Sequence, residues 1–251
     1  MTEVEWLACT ELDELLEFLR HRASDRQFRL FVCACCRRLL PWLQGKRKAA
    51  LALCEKALEV SENYADGLVD QATLTAALPA SAYYSVTAGP GVLAAEVARR
   101  TLYVQLAGNE RPMRFGRRLI GHPASEAAEF ARSVVSTIAG ETKDRSGKSK
   151  APRKRAATIQ EKAFQVELLR DLFGNPFQSV VIDSGWLAWN GGTVVQLAQG
   201  VYNDRAFDRL PVLADALEEA GCDDDRVLGH CRQPGQHVRG CWLLDLLTAR
   251  G

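Results

Sequence analysis

His230, Cys231, His237 and Cys241 form an H-C-x5-H-x3-C arrangement near the C-terminal end of the chain. Imidazole and thiolate are ligand types that zinc takes, and four of them close a tetrahedral shell. Against a metal site stand two facts of spacing. His230 and Cys231 are neighbours whose side chains point apart, and the intervals match no standard zinc module. The expectation is therefore no metal and no cofactor, with the two histidines hydrogen-bonded to backbone and this quartet kept as the alternative. The same residues suggest a second chemistry, a thiol nucleophile at Cys241 with His237 as its base. Four residues apart on a helix, the two would share a face. No oxyanion loop or third orienting group accompanies them, so a metal-dependent or cysteine-based enzyme using His230, His237 and Cys241 is an alternative reading and not the leading one.

Three further constellations carry chemical potential. Cys33, Cys35 and Cys36 contain a C-x-x-C pair. A redox pair of this kind sits at a helix N-terminus, where exposed N–H groups lower the thiol pKa. Here it lies well inside a helical pattern with no preceding strand, which predicts buried packing. Asp183, Trp186, Trp189 and Asn190, next to Gly191 and Gly192, form the most unusual polar and aromatic cluster. Its bland reading is a loop locked into the core by two indoles. Its functional reading is a recognition pocket with Asp183, Asn190 and Arg239 at the rim, since binding hot spots are rich in Trp and Arg. Lys143, Arg145, Lys148, Lys150, Arg153, Lys154 and Arg155 make a basic run that offers cations for phosphate contacts. No interleaved aromatics or helix-turn-helix pairing accompany it, so a solvated loop is preferred to a nucleic-acid arm.

These residues must be positioned by helices, because apolar residues recur at spacings of three and four almost throughout. Thr2 and Glu5 form a capping box, and Thr10 offers a cap to a helix carrying Leu12, Leu15, Leu16 and Leu19. Ser24 opens the clearest helix, with Phe28, Phe31, Val32, Cys35, Cys36 and Leu39 on one stripe and Arg26, Arg29, Arg37 and Arg38 mostly off it. A helix from about Lys46 to Tyr64 follows, then a short one capped by Asp70 and ending near Pro79. Ser81 to Gly91 reads as a bend, followed by helices from Val92 to about Ala107 and from Ser125 to Ala139. Residues 140–157, GETKDRSGKSKAPRKRAA, lack apolar periodicity and read as a mobile basic linker. Beyond it, helices are predicted from Ile159 to Phe173, from Thr193, from Asp208 to Gly221, from Asp223 to about Gly229, and from Gly240. Ser179 to Ile182 is the best short candidate for a strand.

Composition bounds the remaining possibilities. A formal net charge of +1 argues for no global attraction to nucleic acid or an anionic membrane. No apolar run reaches the roughly 20 residues of a membrane span, and the acidic start lacks the n- and h-regions of a signal peptide. Cytoplasmic location and eight reduced cysteines are expected on that basis.

Several stretches also resemble a family of helical proteins that occur as paralogues in planctomycete bacteria. They are EWLACT at 5–10, RLFVCACCRRL at 29–39, YADGL at 64–68 and LLRDLFGNPFQ at 168–178. WLAWNGGTVVQLAQGVY at 186–202, DRAFDRLPVLADALEEAGC at 204–222 and HVRGCWLLDLL at 237–247 complete the set. The resemblance covers both ends and omits roughly residues 70–155. It implies a bacterial helical protein and carries no established activity.

The combined expectation is an all-α, irregular multi-helix bundle forming a single domain. It divides into N-terminal helices at 1–139, the basic linker at 140–157 and a C-terminal module at 158–251. The leading functional expectation is a non-catalytic module that presents a helical surface to another protein.

Overall fold

A computed structural model describes residues 1–43, 48–77, 123–141 and 151–250. Among these residues the fold is all-α, with twelve helices and no strand. The predicted helix from Val92 to Ala107 and the bend before it lie outside the described residues. So do residues 142–150 of the basic segment, with Lys143, Arg145, Lys148 and Lys150. The chain divides into two compact units, one made of Cys9–Val166 and the other of Met1–Ala8 with Glu167–Gly251.

The first of these units contains α2 (Leu12–Leu19), α3 (Asp25–Arg37), α4 (Lys48–Ala65), α5 (Gln71–Ala76), α6 (Pro123–Glu141) and most of α7 (Ala151–Phe173). Ser24 starts α3 through a full capping box: its hydroxyl accepts from the Gln27 amide, and the Gln27 side chain accepts from the Ser24 amide. The predicted stripe is entirely buried, and burial extends to Leu30, Cys33 and Ala34, because α3 packs against both α4 and α6. Arginines on α3 and at its C-terminal end bind carboxylates on neighbouring helices. Arg37 makes two bonds, of 2.6 and 2.7 Å, to Glu62 of α4, and Arg38 Nε donates to Glu161 of α7 at 2.6 Å. Gln165, wholly buried, donates to the Ala128 carbonyl of α6 and accepts from Arg132 Nη1 at 3.0 Å. Three local readings are corrected here. Glu11, not Thr10, holds the N-cap position of α2, and it makes no side-chain cap. Gly140 lies within α6. Residues 151–157, expected in the linker, are the first two turns of α7.

The second unit holds α1 (Glu3–Ala8), the last turns of α7, α8 (Ser184–Ala188), α9 (Thr193–Asp204), α10 (Leu210–Glu219), α11 (Asp225–Arg232) and α12 (Trp242–Thr248). Thr2 and Glu5 form the expected box at the head of α1. Arg170 Nη2 donates to the carbonyls of Trp6 and Leu7 at 3.0 and 2.9 Å, satisfying the C-terminal end of α1. One apolar core joins Val194, Ala198, Val201 and Tyr202 of α9, Leu210, Leu213, Ala214 and Leu217 of α10, Val227 and Cys231 of α11, and Leu243, Leu244 and Leu247 of α12. The cap of α11 is Asp224, one residue after the predicted Asp223, and the helix continues to Arg232. The stretch from Ser179 to Ile182 forms no strand ladder.

Candidate functional site

Within the second unit four side chains converge: Asp171, His230, His237 and Cys241 each offer one ligand atom, and these atoms all lie within 4.8 Å of one another. Three segments deliver them. Asp171 stands on the last turns of α7, on the buried side with Leu168, Leu169 and Leu172. His230 projects from α11, one position before Cys231. His237 lies in the connection to α12, and Cys241 is the N-cap residue of that helix.

The contacts are short and enclosed. His237 Nδ1 lies 2.7 Å from Asp171 Oδ1, and the Val238 amide donates to Asp171 Oδ2 at 2.9 Å. His230 Nε2 lies 3.0 Å from Cys241 Sγ and 3.4 Å from Asp171 Oδ1. On its other side, His230 Nδ1 sits 3.2 Å from the Trp242 indole nitrogen and 3.4 Å from the Gln233 side-chain amide. The two imidazoles meet edge to face, with centroids 4.9 Å apart. Side-chain exposure is 7% for each histidine and 4% for Asp171. His237 Nε2 is buried and has no hydrogen-bond partner among the described residues.

Burial sets the electrostatics. It pushes the His230 imidazole down to about 4, overcoming the opposing pull of the Asp171 carboxylate; His237 lowers it further. The Cys241 thiol is raised well above its ordinary value, first by burial and then by the Asp171 charge, while the Leu244 and Leu243 amides oppose the shift. Asp171 is thus a buried carboxylate whose neighbours are two imidazoles, a thiol and one backbone amide.

Of the four predicted ligands, His230, His237 and Cys241 come together. Cys231 does not join them: it is buried in the apolar core, and burial lifts its thiol to about 12. Its place is taken by Asp171, a carboxylate far upstream that the reading of the C-terminal motif missed. The available signal was a charged residue set among the apolar positions of a helix, where an unpaired charge is costly. The proposed pairing of Cys241 with His237 on one helix is also corrected. Residues 237–241 precede α12, and the imidazole at hydrogen-bonding distance from Cys241 belongs to His230.

The other candidates fall elsewhere. Asp183 caps α8 by accepting from the Gly185 amide at 2.7 Å, and Asn190 takes a left-handed backbone with φ of 46°. Trp186 and Trp189 are half-buried against the core of the second unit. Arg239 lies over the Tyr202 ring, 5.3 Å from its centroid. Cys33, Cys35 and Cys36 are fully buried; burial raises the Cys33 thiol to about 12 and pushes Cys35 up as well. Of the basic run, Arg153, Lys154 and Arg155 are described, on the first turns of α7. Comparison with family models, curated proteins and solved structures finds no match to this chain.

Proposed function

We propose that this chain is a non-catalytic module that presents a helical surface to another protein. The observation that supports this reading is the enclosure of its chemically capable groups. Asp171, His230, His237 and Cys241 are buried against one another, and a nucleophile or base must be reachable by substrate to act on it. Apolar side chains on the second unit, by contrast, face outward. Phe177 is 40% and Val181 81% exposed, on the same segment as Trp186 and Trp189. A rim of exposed apolar groups beside aromatic anchors is the composition of a docking face.

The proposal assigns that face, residues 177–190, to a protein partner, and the resemblance of several stretches to planctomycete helical proteins suggests a bacterial setting for it. The test is affinity capture from the source cell with wild-type chain and with the double variant Phe177→Glu/Val181→Glu. Unchanged circular dichroism together with loss of one reproducible partner supports the reading. An identical set of captured proteins for both chains removes this face. Nucleic-acid binding remains the alternative for the basic run. Binding of a labelled oligonucleotide that weakens with salt, and weakens again when Arg153, Lys154 and Arg155 are replaced by Gln, would favour it over the protein partner.

A further inference from the structure

We propose that Asp171, His230, His237 and Cys241 are the four ligands of one structural Zn²⁺ ion that ties α7, α11 and the start of α12 together. Four donor groups of the right types converge from three segments, with donor atoms no more than 4.8 Å apart. At zinc's ordinary bond lengths, nitrogen, oxygen and sulfur ligands on a tetrahedral centre lie about 3.3–3.7 Å from one another. The observed contacts of 2.7, 3.0 and 3.4 Å bracket the lower end of that range, so small outward movements make room for the ion.

Charge gives a second, independent reason. A carboxylate with 4% side-chain exposure is costly to bury without a counter-charge, and the described partners of Asp171 are the two imidazoles and the Val238 amide, with no lysine or arginine among them. Binding replaces the Cys241 S–H by a sulfur–metal bond and releases that proton to solvent, and one carboxylate and one thiolate then balance a divalent cation and leave the buried site neutral. The mixture of imidazole and sulfur selects zinc or a similar late transition metal over Ca²⁺ and Mg²⁺, which take oxygen shells. Four protein ligands leave no open position, so the ion is structural and binds no substrate.

Loading also has a local cost that makes it observable. With Nε2 of His230 on the metal, the ring proton must sit on Nδ1. There the Gln233 amide, 3.4 Å away, turns its carbonyl inward to accept it. The Trp242 indole N–H, 3.2 Å from the same nitrogen, must then give up that acceptor. Metal occupancy therefore changes the environment of one tryptophan.

The experiment uses the full chain, stripped with chelator and then titrated with Co²⁺ as a spectroscopic substitute. The expected result is one Co²⁺ per chain, a near-ultraviolet thiolate-to-metal band, visible bands of tetrahedral intensity, and displacement of all of them by Zn²⁺. Cys241→Ser abolishes the near-ultraviolet band. Asp171→Asn and His237→Ala weaken binding beyond the roughly 10–100-fold that loss of an outer-sphere partner costs. Cys231→Ala and Cys9→Ser leave it unchanged. Trp242→Phe retains the absorption bands and loses the emission change on loading. A wild-type chain that keeps its helical circular dichroism and shows no thiolate-to-metal band overturns the proposal, whether or not any variant folds. A band that survives Cys241→Ser and vanishes in Cys231→Ala also overturns it.

Discussion

Cys231 and Cys241 share a residue type and a sequence neighbourhood, and the fold gives them different jobs. Both belong to one apolar core, but only Cys241 also faces an imidazole, at 3.0 Å. None of the eight cysteines is in a disulfide, and seven of them are buried, Cys9 being the one with intermediate exposure. Alkylation requires an exposed thiolate, and burial raises the thiols of Cys33, Cys54 and Cys231 to between about 11 and about 12. Iodoacetamide at pH 8 is expected to label Cys9 alone in the native protein, and all eight after denaturation, as counted by intact mass. Rapid native labelling of Cys33 or Cys36 would revive the redox reading of the C-x-x-C pair. The sequence made residue types legible at this scale and left their company hidden. His230, His237 and Cys241 could be flagged from spacing alone. Asp171 could not be joined to them, because 59 positions separate it from His230 in the chain and only the packing of α7 against the C-terminal helices closes that gap.

Helices were the most readable level, because their signals are local. The Thr2–Glu5 box, the start of α3 at Ser24 and the Asp70 cap of α5 rest on contacts within four residues, and each is found as read. Misreadings came where composition and geometry part. The run APRKRAA looks too polar to order, yet it forms the start of α7, since Arg, Lys and Ala are good helix formers that need no buried face. Gly174 marks where local and tertiary demands meet. It follows α7 with φ of +61°, and a Cβ there would stand 3.1 Å from the Trp242 ring. Gly174→Ala combines a left-handed backbone penalty with a clash against the indole beside His230. A loss of about 1–3 kcal/mol in urea denaturation is expected, with a shift in tryptophan emission. A change below about 0.5 kcal/mol would show that the α7 terminus is free to adjust.

On the scale of the molecule, residues Met1–Ala8 belong with Glu167–Gly251 and not with the helices that follow them. No periodicity announces such an excursion, because amphipathic stripes say which face is buried and nothing about the partner. Trp6, 1% exposed, and the bonds from Arg170, Asn175 and Gln178 to the first helix hold the association. Deleting residues 1–8 removes a large buried aromatic, a loss that costs about 3–5 kcal/mol in cores. Hydrogen exchange is expected to quicken in α9 to α12 and to stay slow in α3. Uniform acceleration across both units would mean that they unfold as one.

That same excursion fixes an order of events during synthesis. The first helix leaves the ribosome ahead of its unit, and the arginine that caps it arrives 164 residues later. At 5–20 residues per second the indole of Trp6 waits roughly 8–33 s for its permanent surroundings. Through that interval the growing chain carries an aromatic without its permanent cover, which chaperones can hold, while the helices made next have time to fold among themselves.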